Sequence, residues 1–349
     1  MAERACATVG GRFFSHLVEV TADMSALDGR GTWVVVLPFD GSPVCARFER
    51  VTPASGVVWS GPPWVGPDSG RWASSLDRPA FCSRVVAIRE AIANGDVYQV
   101  NLTRRLSAPW PVGGDIVALG QALAAAHPAP HAATVRLPAQ GVHVASASPE
   151  RFLRRDGRRV WSSPIKGTAS TPDGFLAKDR AENVMIVDLV RNDLGRVCEF
   201  GSVSVPALWS VEQHPGLFHL VSTVEGVLRA GCGWPELIAA TFPPGSVTGA
   251  PKIAAVSYIR RLEPVPRGVY CGAVGWVDAD RQAGELNVAI RTFWREDDHL
   301  CLGSGGAITW DSTPEGEWEE TDLKAHRLLA VASGRPATSG RSGQHGTTI

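Results

Sequence analysis

Apolar and polar residues change their spacing several times along this chain, and each change marks an element. Residues 1–60 read as short strands; the clearest is the run WVVVLP from Trp33 to Pro38, stopped by the turn Asp40-Gly41. Residues 61–79 are rich in Pro, Gly and Ser and read as a long loop. From Ser83 to Asn94 the spacing is helical, with Ser83 placed to cap the start and Gly95 to end it. From Val97 to Leu106 the period falls to two: Tyr98, Val100 and Leu102 face one way, and Gln99, Asn101 and Thr103 the other. Residues 142–168 read as two or three strands, with Asp156-Gly157 as a hairpin turn. Helices are expected over 178–194, ending at Gly195, over 249–262 and over 315–332, with a set of strands across 269–310. The tail from Gly334 has no periodicity and is expected to be disordered. No internal repeat is found. Strands and helices come in clumps rather than in strict alternation, which predicts an α+β fold.

Composition adds bounds. The 349 residues are 44% hydrophobic and 20% charged, enough for a large core. Length suggests roughly two parts: an N-terminal strand-rich part over 1–80 and a main region over 81–333, before the tail 334–349. A net charge of −1 shows no nucleic-acid footprint. The seven cysteines are scattered, odd in number and without a CxxC pair, as expected of buried thiols in a reducing compartment. The first twenty residues lack an apolar signal core and no run is long enough to span a membrane, so a cytoplasmic protein is expected.

Only four lysines, Lys166, Lys178, Lys252 and Lys324, stand against thirty arginines. Arginine stays protonated, whereas lysine can lose its proton and act as a nucleophile, so each surviving lysine marks a position worth examining. With Asp156 and Gly157 in the turn, Arg155 faces Arg158 and Glu150 faces Ser163, and Lys166 follows three residues later, roughly 10 Å along a strand. An acid and an amine facing one pocket suit proton transfer and nucleophilic attack; a salt bridge at a hairpin base is the plainer reading.

Two acidic pairs follow. Asp179 and Glu182 share one helix face, and Glu317 and Glu320 repeat that spacing on the last helix, with Lys324 one turn on. They read either as carboxylates for a hard divalent cation such as Mg²⁺ or as solvated acidic faces. In SVTGAPK, Thr248 is placed to cap a helix with Pro251 in its first turn, and the exposed N–H groups suit a carboxylate. Gly303 to Gly306 reads as a second glycine-rich loop, and Asn287, Ala289 and Arg291 as one face of the strand before it, with Arg291 able to grip a carboxylate. His219, in strand-like sequence, reads as a hydrogen-bonded core residue or a site residue.

Taken together, GDVYQVNL, SASPERF, PIKGT, KDRAENVMIVDLVRNDLGRV, HLVSTVEG, FPPGSVTGAPK, GVYCGAVGWV, AIRTF and EWEETDLKA resemble the chorismate-utilising enzymes, from about Arg84 to Leu329. The resemblance implies two antiparallel sheets packed as a sandwich with helices outside, and a Mg²⁺-dependent cleft between them. Members that add water to chorismate carry a lysine where this chain has Gln99. Anthranilate synthases read PIAGT where this chain reads PIKGT, so Lys166 makes it most similar to the aminodeoxychorismate synthase group, component I. In that group the lysine adds to the ring, the hydroxyl leaves, and ammonia takes its place para to the ring carboxylate; ortho amination, as in anthranilate synthase component I, is the alternative. Retention of Glu150, Lys166 and the acidic pairs argues against a chorismate-binding protein without turnover.

By the same resemblance, Glu150 is expected as general acid and base, and Glu182 and Glu320 as Mg²⁺ ligands supported by Asp179 and Glu317. Arg291, Tyr270, Thr168, Lys324, Thr248 and the amides of Gly249, Gly305 and Gly306 are expected around the substrate carboxylates, with Gln99 and His219 lining the pocket. No LLES-type motif for feedback tryptophan is found. No glutaminase segment with a Cys nucleophile and a His-x-Glu is found either, so a separate glutamine amidotransferase subunit is the expected source of ammonia. A later lyase would give 4-aminobenzoate for folate.

Overall fold

The computed structural model describes residues 4–57, 60–214 and 217–334; the expected disordered tail, from residue 335 on, lies outside them. Six α-helices are found among the described residues: α1 (Arg78–Ala93), α2 (Ile116–Ala126), α3 (Ala177–Gly195), α4 (Trp234–Thr241), α5 (Lys252–Leu262) and α6 (Pro314–Ala332). The N-terminal strands are β1 (Cys6–Val9), β2 (Arg12–Thr21), β3 (Thr32–Leu37), β4 (Val44–Pro53) and the short β5 (Ala73–Ser74). The middle of the chain gives β6 (Gln99–Pro109), β7 (Ala133–Leu137), β8 (Val142–Ser146), β9 (Arg151–Asp156), β10 (Arg159–Ser163) and β11 (Ile165–Ala169). Then come β12 (Ser204–His214), β13 (Leu217–Val227), β14 (Gly249–Ala250), β15 (Ala273–Asp278), β16 (Ala283–Val288), β17 (Thr292–Glu296) and β18 (His299–Ile308).

Every ladder is antiparallel, and the strands join into one hydrogen-bonded ribbon. It runs from β6 through β18, β17, β8, β7, β1, β2 and β4. From β4 it continues through β3, β15, β16, β9 and β10 to β13, which also carries β11 and β12. The ribbon doubles over so that its halves form the two layers of the sandwich. The Asn287 amide of β16 donates to the Ser146 hydroxyl of β8 at 3.4 Å, and the Ser148 hydroxyl donates to Val288 O at 2.6 Å. The N-terminal strands β1 to β4 are the join between the layers.

Three apolar clusters hold this arrangement. The largest packs Trp33–Leu37, the strands of the second half and the inner faces of α3 and α4 around Trp234. The second seats α2 and α6 on β6, β8, β17 and β18, and the third seats α1 and α5 on β6. The α+β class and the external helices agree with the sequence reading. Helix α1 begins before the expected Ser83, because Asp77 accepts the Ala80 N–H at 2.9 Å, Pro79 sits in the first turn and the buried stripe starts at Phe81. Helices α2 and α4 were not anticipated; both are short and Ala-rich.

The hairpin after Glu150 is shifted from the expected register. Asp156 pairs with Arg159, so Gly157 and Arg158 form the turn, and Gly157 supplies the positive φ of 57° that a tight hairpin needs. A bulge then sets Ser163 opposite Arg151, and Glu150 lies just outside the strand.

Candidate functional site

Glu150 sits in the link between β8 and β9, where the chain passes from the first half of the ribbon to the second. Its backbone carbonyl accepts the Val288 N–H at 3.0 Å, fixing the link to β16. The side chain is buried; the nearby Ser246 hydroxyl, the charge of Lys166 and the Ile165 N–H favour its charged form. Burial dominates these stabilising contacts and pushes the carboxyl up to about 7, so it is poised to hold or release a proton near neutrality.

Lys166 follows on β11. Its side chain is largely buried and its Nζ stands 3.9 Å from Glu182 Oε2 of α3. Burial pushes the amine below its ordinary range, opposed by Glu182 and Glu150, with Lys324 adding to the depression. Glu150 and Lys166 still feel each other's charge despite the hairpin shift, because Ile165, the neighbour of Lys166 in the chain, lies beside the Glu150 carboxyl.

The acidic pairs on α3 and α6 act on the same space. Burial pushes the Glu182 carboxyl up against the attraction of Lys166 and Lys178, and the charge of Glu320 reaches it. Glu317 is likewise pushed up by burial, and it accepts the Ser312 hydroxyl at 2.6 Å. For Glu320, burial is outweighed by Lys324, whose Nζ lies 2.6 Å away, so the carboxyl is held below its usual range. Lys324 also donates to Gly305 O at 3.1 Å, tying α6 to β18. Asp179 accepts the Leu176 N–H at 2.8 Å and so caps α3.

Gly306 explains how two carboxylates pack against a strand. A Cβ there would stand 2.9 Å from Glu317 Oε2 and 3.8 Å from Glu320 Oε1. Oxygen donors from two helices suit Mg²⁺, which takes one or two protein carboxylates and keeps positions for water and substrate oxygens. Among the described residues no group of three His, Cys, Asp or Glu side chains forms a closed protein cage for a metal.

The glycine segments depart from expectation. Gly303–Gly306 is not a loop but part of β18, paired along its length with β6, and Gly303 lets the buried Tyr270 ring lie against the strand. Thr248 does not cap a helix: α5 starts only at Lys252, and the Thr248 hydroxyl donates to Pro244 O at 3.1 Å while its carbonyl accepts the Asn101 N–H at 2.8 Å. Gly249, with a φ of 138°, brings the backbone so close to β6 that a Cβ would stand 2.1 Å from Gln99 O. Lys252 is engaged in structure, donating to Asp193 Oδ2 at 2.6 Å and Thr241 O at 2.7 Å.

Asn287, Ala289 and Arg291 do not share a strand face, since β16 ends at Val288 and Arg291 adopts a φ of 50°. Asn287 braces the sheet by accepting the Val274 N–H. Arg291 is a desolvated guanidinium, pushed below its usual range by burial alone, with no acidic side chain paired to it among the described residues. That leaves its fork available for a carboxylate. His219 is buried on β13, opposite Thr168 in the β11–β13 register.

Ser246, near Glu150 and bonded by Asn101, is the residue that sequence reasoning missed. Asn101 was visible on the Gln99 face of β6, but nothing in local spacing ties the Ser246 hydroxyl to Glu150, far away in the chain.

Residues 63–330 match the family model of the chorismate binding enzyme. The chain is 43% identical over 267 residues to an aminodeoxychorismate synthase of Streptomyces pristinaespiralis, covering 72% of this chain and 36% of that protein. It is 41% identical over 281 residues to an anthranilate synthase component 1 of Haloarcula marismortui, covering 76% of this chain and 56% of that one. The chain thus spans about half or less of the length of these relatives. A crystal structure of anthranilate synthase component I from Streptococcus pneumoniae superposes with a TM-score of 0.73 at 24% identity, over 86% of this chain and 81% of that one. The motif-bearing strands and helices and the match over most of the chain lead to one assignment: the protein belongs to the family of chorismate binding enzymes.

Proposed function

We propose that this protein aminates chorismate with ammonia to 4-amino-4-deoxychorismate, as component I of an aminodeoxychorismate synthase. The observation that carries this reading is the buried Lys166 amine, held below its ordinary range beside a Glu150 carboxyl raised to about 7. In this reading the neutral amine adds to the ring carbon beside the ring carboxylate. The ring double bonds shift, and the hydroxyl takes the Glu150 proton and leaves as water. Ammonia bonds to the carbon that lost the hydroxyl, the bond to lysine breaks with its electron pair returning to nitrogen, and the new ammonium gives one proton back to Glu150. Ring amination thus consumes ammonia and releases water, with both side chains restored.

Arg291, whose guanidinium has no acidic side chain paired to it among the described residues, and Lys324 would hold substrate carboxylates, with Thr168, Thr248, Tyr270 and the amides of Gly249, Gly305 and Gly306 around them. His219 and Gln99 would line the ring pocket. Glu182 and Glu320 would hold Mg²⁺, supported by Asp179 and Glu317, and the ion when bound supplies positive charge for the ring carboxylate and Lewis-acid withdrawal of electrons. Ammonia would come from a glutamine amidotransferase subunit on a separate chain, in keeping with the "component 1" naming of a relative. The seven cysteines are all free thiols and no described helix is long and apolar enough to cross a membrane, which supports a cytoplasmic setting.

The test mixes the protein with chorismate, Mg²⁺ and an ammonium salt, then adds the lyase that releases 4-aminobenzoate. Appearance of 4-aminobenzoate supports the reading. Fluorescent anthranilate in its place would replace it with ortho amination.

A further inference from the structure

Three buried residues form a hydrogen-bonded line from β6 toward the acid. The Gln99 amide nitrogen donates to Asn101 Oδ1 at 3.1 Å, and the Asn101 amide nitrogen donates to Ser246 O at 3.1 Å. Ser246 in turn lies beside the Glu150 carboxyl and favours its charged form. Gln99 and Asn101 are two residues apart on one strand face, so their side chains stand side by side.

The direction of this line is set at one end by an atom with no choice. Ser246 O is a backbone carbonyl and can only accept, so the Asn101 atom facing it is the NH₂ group. The other end of the Asn101 amide is then an oxygen, and the Gln99 atom facing that oxygen is its NH₂ group. By elimination the remaining Gln99 atom is the carbonyl oxygen Oε1. Gln99 is fully buried, and Oε1 has no hydrogen-bond partner among the described residues. A buried acceptor left unpaired is costly, and it marks a place for a donor.

Resting on the amination reading, we infer that Asn101 is a positioning residue which fixes the polarity of the Gln99 amide, so that a hydrogen-bond acceptor is presented to the N–H groups of incoming ammonia. Asn101 touches neither reacting atom. It acts by denying Gln99 the flipped arrangement, in which an NH₂ group would face the lone pair of ammonia and hold it in the wrong sense. Its second bond, to Ser246 O, sets the ammonia-facing group in a fixed relation to the residue beside the acid.

The test compares wild type with Asn101→Leu and Asn101→Asp, using ammonium chloride as nitrogen source at saturating chorismate and Mg²⁺. Leucine removes both bonds at similar volume, whereas a buried, protonated aspartate keeps an acceptor for the Gln99 NH₂ group and an O–H donor for Ser246 O. The Leu variant is expected to raise the KM for ammonia roughly tenfold or more, the equivalent of one lost hydrogen bond, with the KM for chorismate within about twofold. The Asp variant is expected to restore the ammonia KM to within about threefold of wild type. An unchanged ammonia KM in the Leu variant, or an Asp variant as impaired as Leu, overturns the inference. Absence of any chorismate amination by wild type would instead overturn the proposed function.

Discussion

Lys166 Nζ stands 3.9 Å from Glu182 Oε2, beyond hydrogen-bond length yet within strong electrostatic reach. The amine is therefore attracted by a carboxylate without being locked to it, and burial favours its neutral form. Lys166→Arg preserves the positive charge beside Glu182 but removes the available lone pair. The variant is expected to fold with an unchanged circular dichroism spectrum and to lose para amination by roughly a thousandfold or more, as when a covalent nucleophile is removed. Chromatography of products from chorismate, Mg²⁺ and ammonia measures it; a rate near wild type would eliminate Lys166 as nucleophile.

Glu150 links stability to pH. Burial raises its folded-state carboxyl from 4.5 to about 7. Below the unfolded value both states bind the proton and there is no difference. As pH rises through that range the unfolded chain ionises first, so stability falls, and the loss is complete once the folded group ionises above about 7. Glu150→Gln is therefore expected to stabilise the protein above pH 7 by on the order of 3 kcal/mol and not at pH 4, while lowering amination by roughly 10²- to 10⁴-fold. Urea denaturation at the two pH values provides the check. Wild-type activity as general acid is expected to decline on the alkaline side of about 7, and that limb should vanish from the residual activity of the Gln variant.

Much of this site was legible because its chemistry is local. Asp179 and Glu182, and Glu317, Glu320 and Lys324, are spaced to share helix faces, so a period of 3.6 places them without knowledge of the fold. Lys166 stood out by composition. Long-range relationships were hidden: Ser246 reaches Glu150 only because the ribbon doubles over, and no local rule reports that. Local glycine and threonine rules also misled. Gly303–Gly306 reads as a loop, yet these residues are small because Tyr270, the β6 backbone and the α6 carboxylates crowd β18. Thr248 has the composition of a helix cap but spends its hydroxyl on Pro244 O, leaving Pro251 at the N-cap of α5.

Gly306 supplies a separable test of the acidic cluster. Its φ is not in the positive region, so alanine is tolerated by the backbone. The added methyl would instead stand 2.9 Å from Glu317 Oε2 and displace that carboxylate. Gly306→Ala is expected to change stability by less than about 1 kcal/mol while raising the Mg²⁺ concentration for half-maximal activity roughly 10- to 100-fold, as when a group supporting a metal ligand is disturbed. A metal titration of activity reads the effect, and an unaltered midpoint would count against metal binding here.

Glu263 and Arg267 make the strongest structural prediction, because they join the pieces that carry the site. Arg267 Nη2 lies 2.7 Å from Glu263 Oε1, with both side chains nearly inaccessible. Glu263 also accepts the Thr103 N–H at 2.9 Å, and Arg267 donates to Val247 O at 2.8 Å and Asn101 O at 3.0 Å. The pair thus ties β6, the Ser246 turn and the end of α5 together. Burial opposes the charge on Arg267, and Glu263 more than offsets that. Glu263→Gln keeps the shape but leaves a buried cation without its anion, a loss on the order of 3–5 kcal/mol. Arg78 and Glu319, by contrast, meet at 3.4 Å with both side chains exposed, and Arg78→Ala is expected to change stability by less than about 1 kcal/mol. Urea unfolding of the two variants at low and high salt separates the cases: a small loss for Glu263→Gln would mean that water reaches this pair and that the packing around the Ser246 turn is held by its apolar contacts alone.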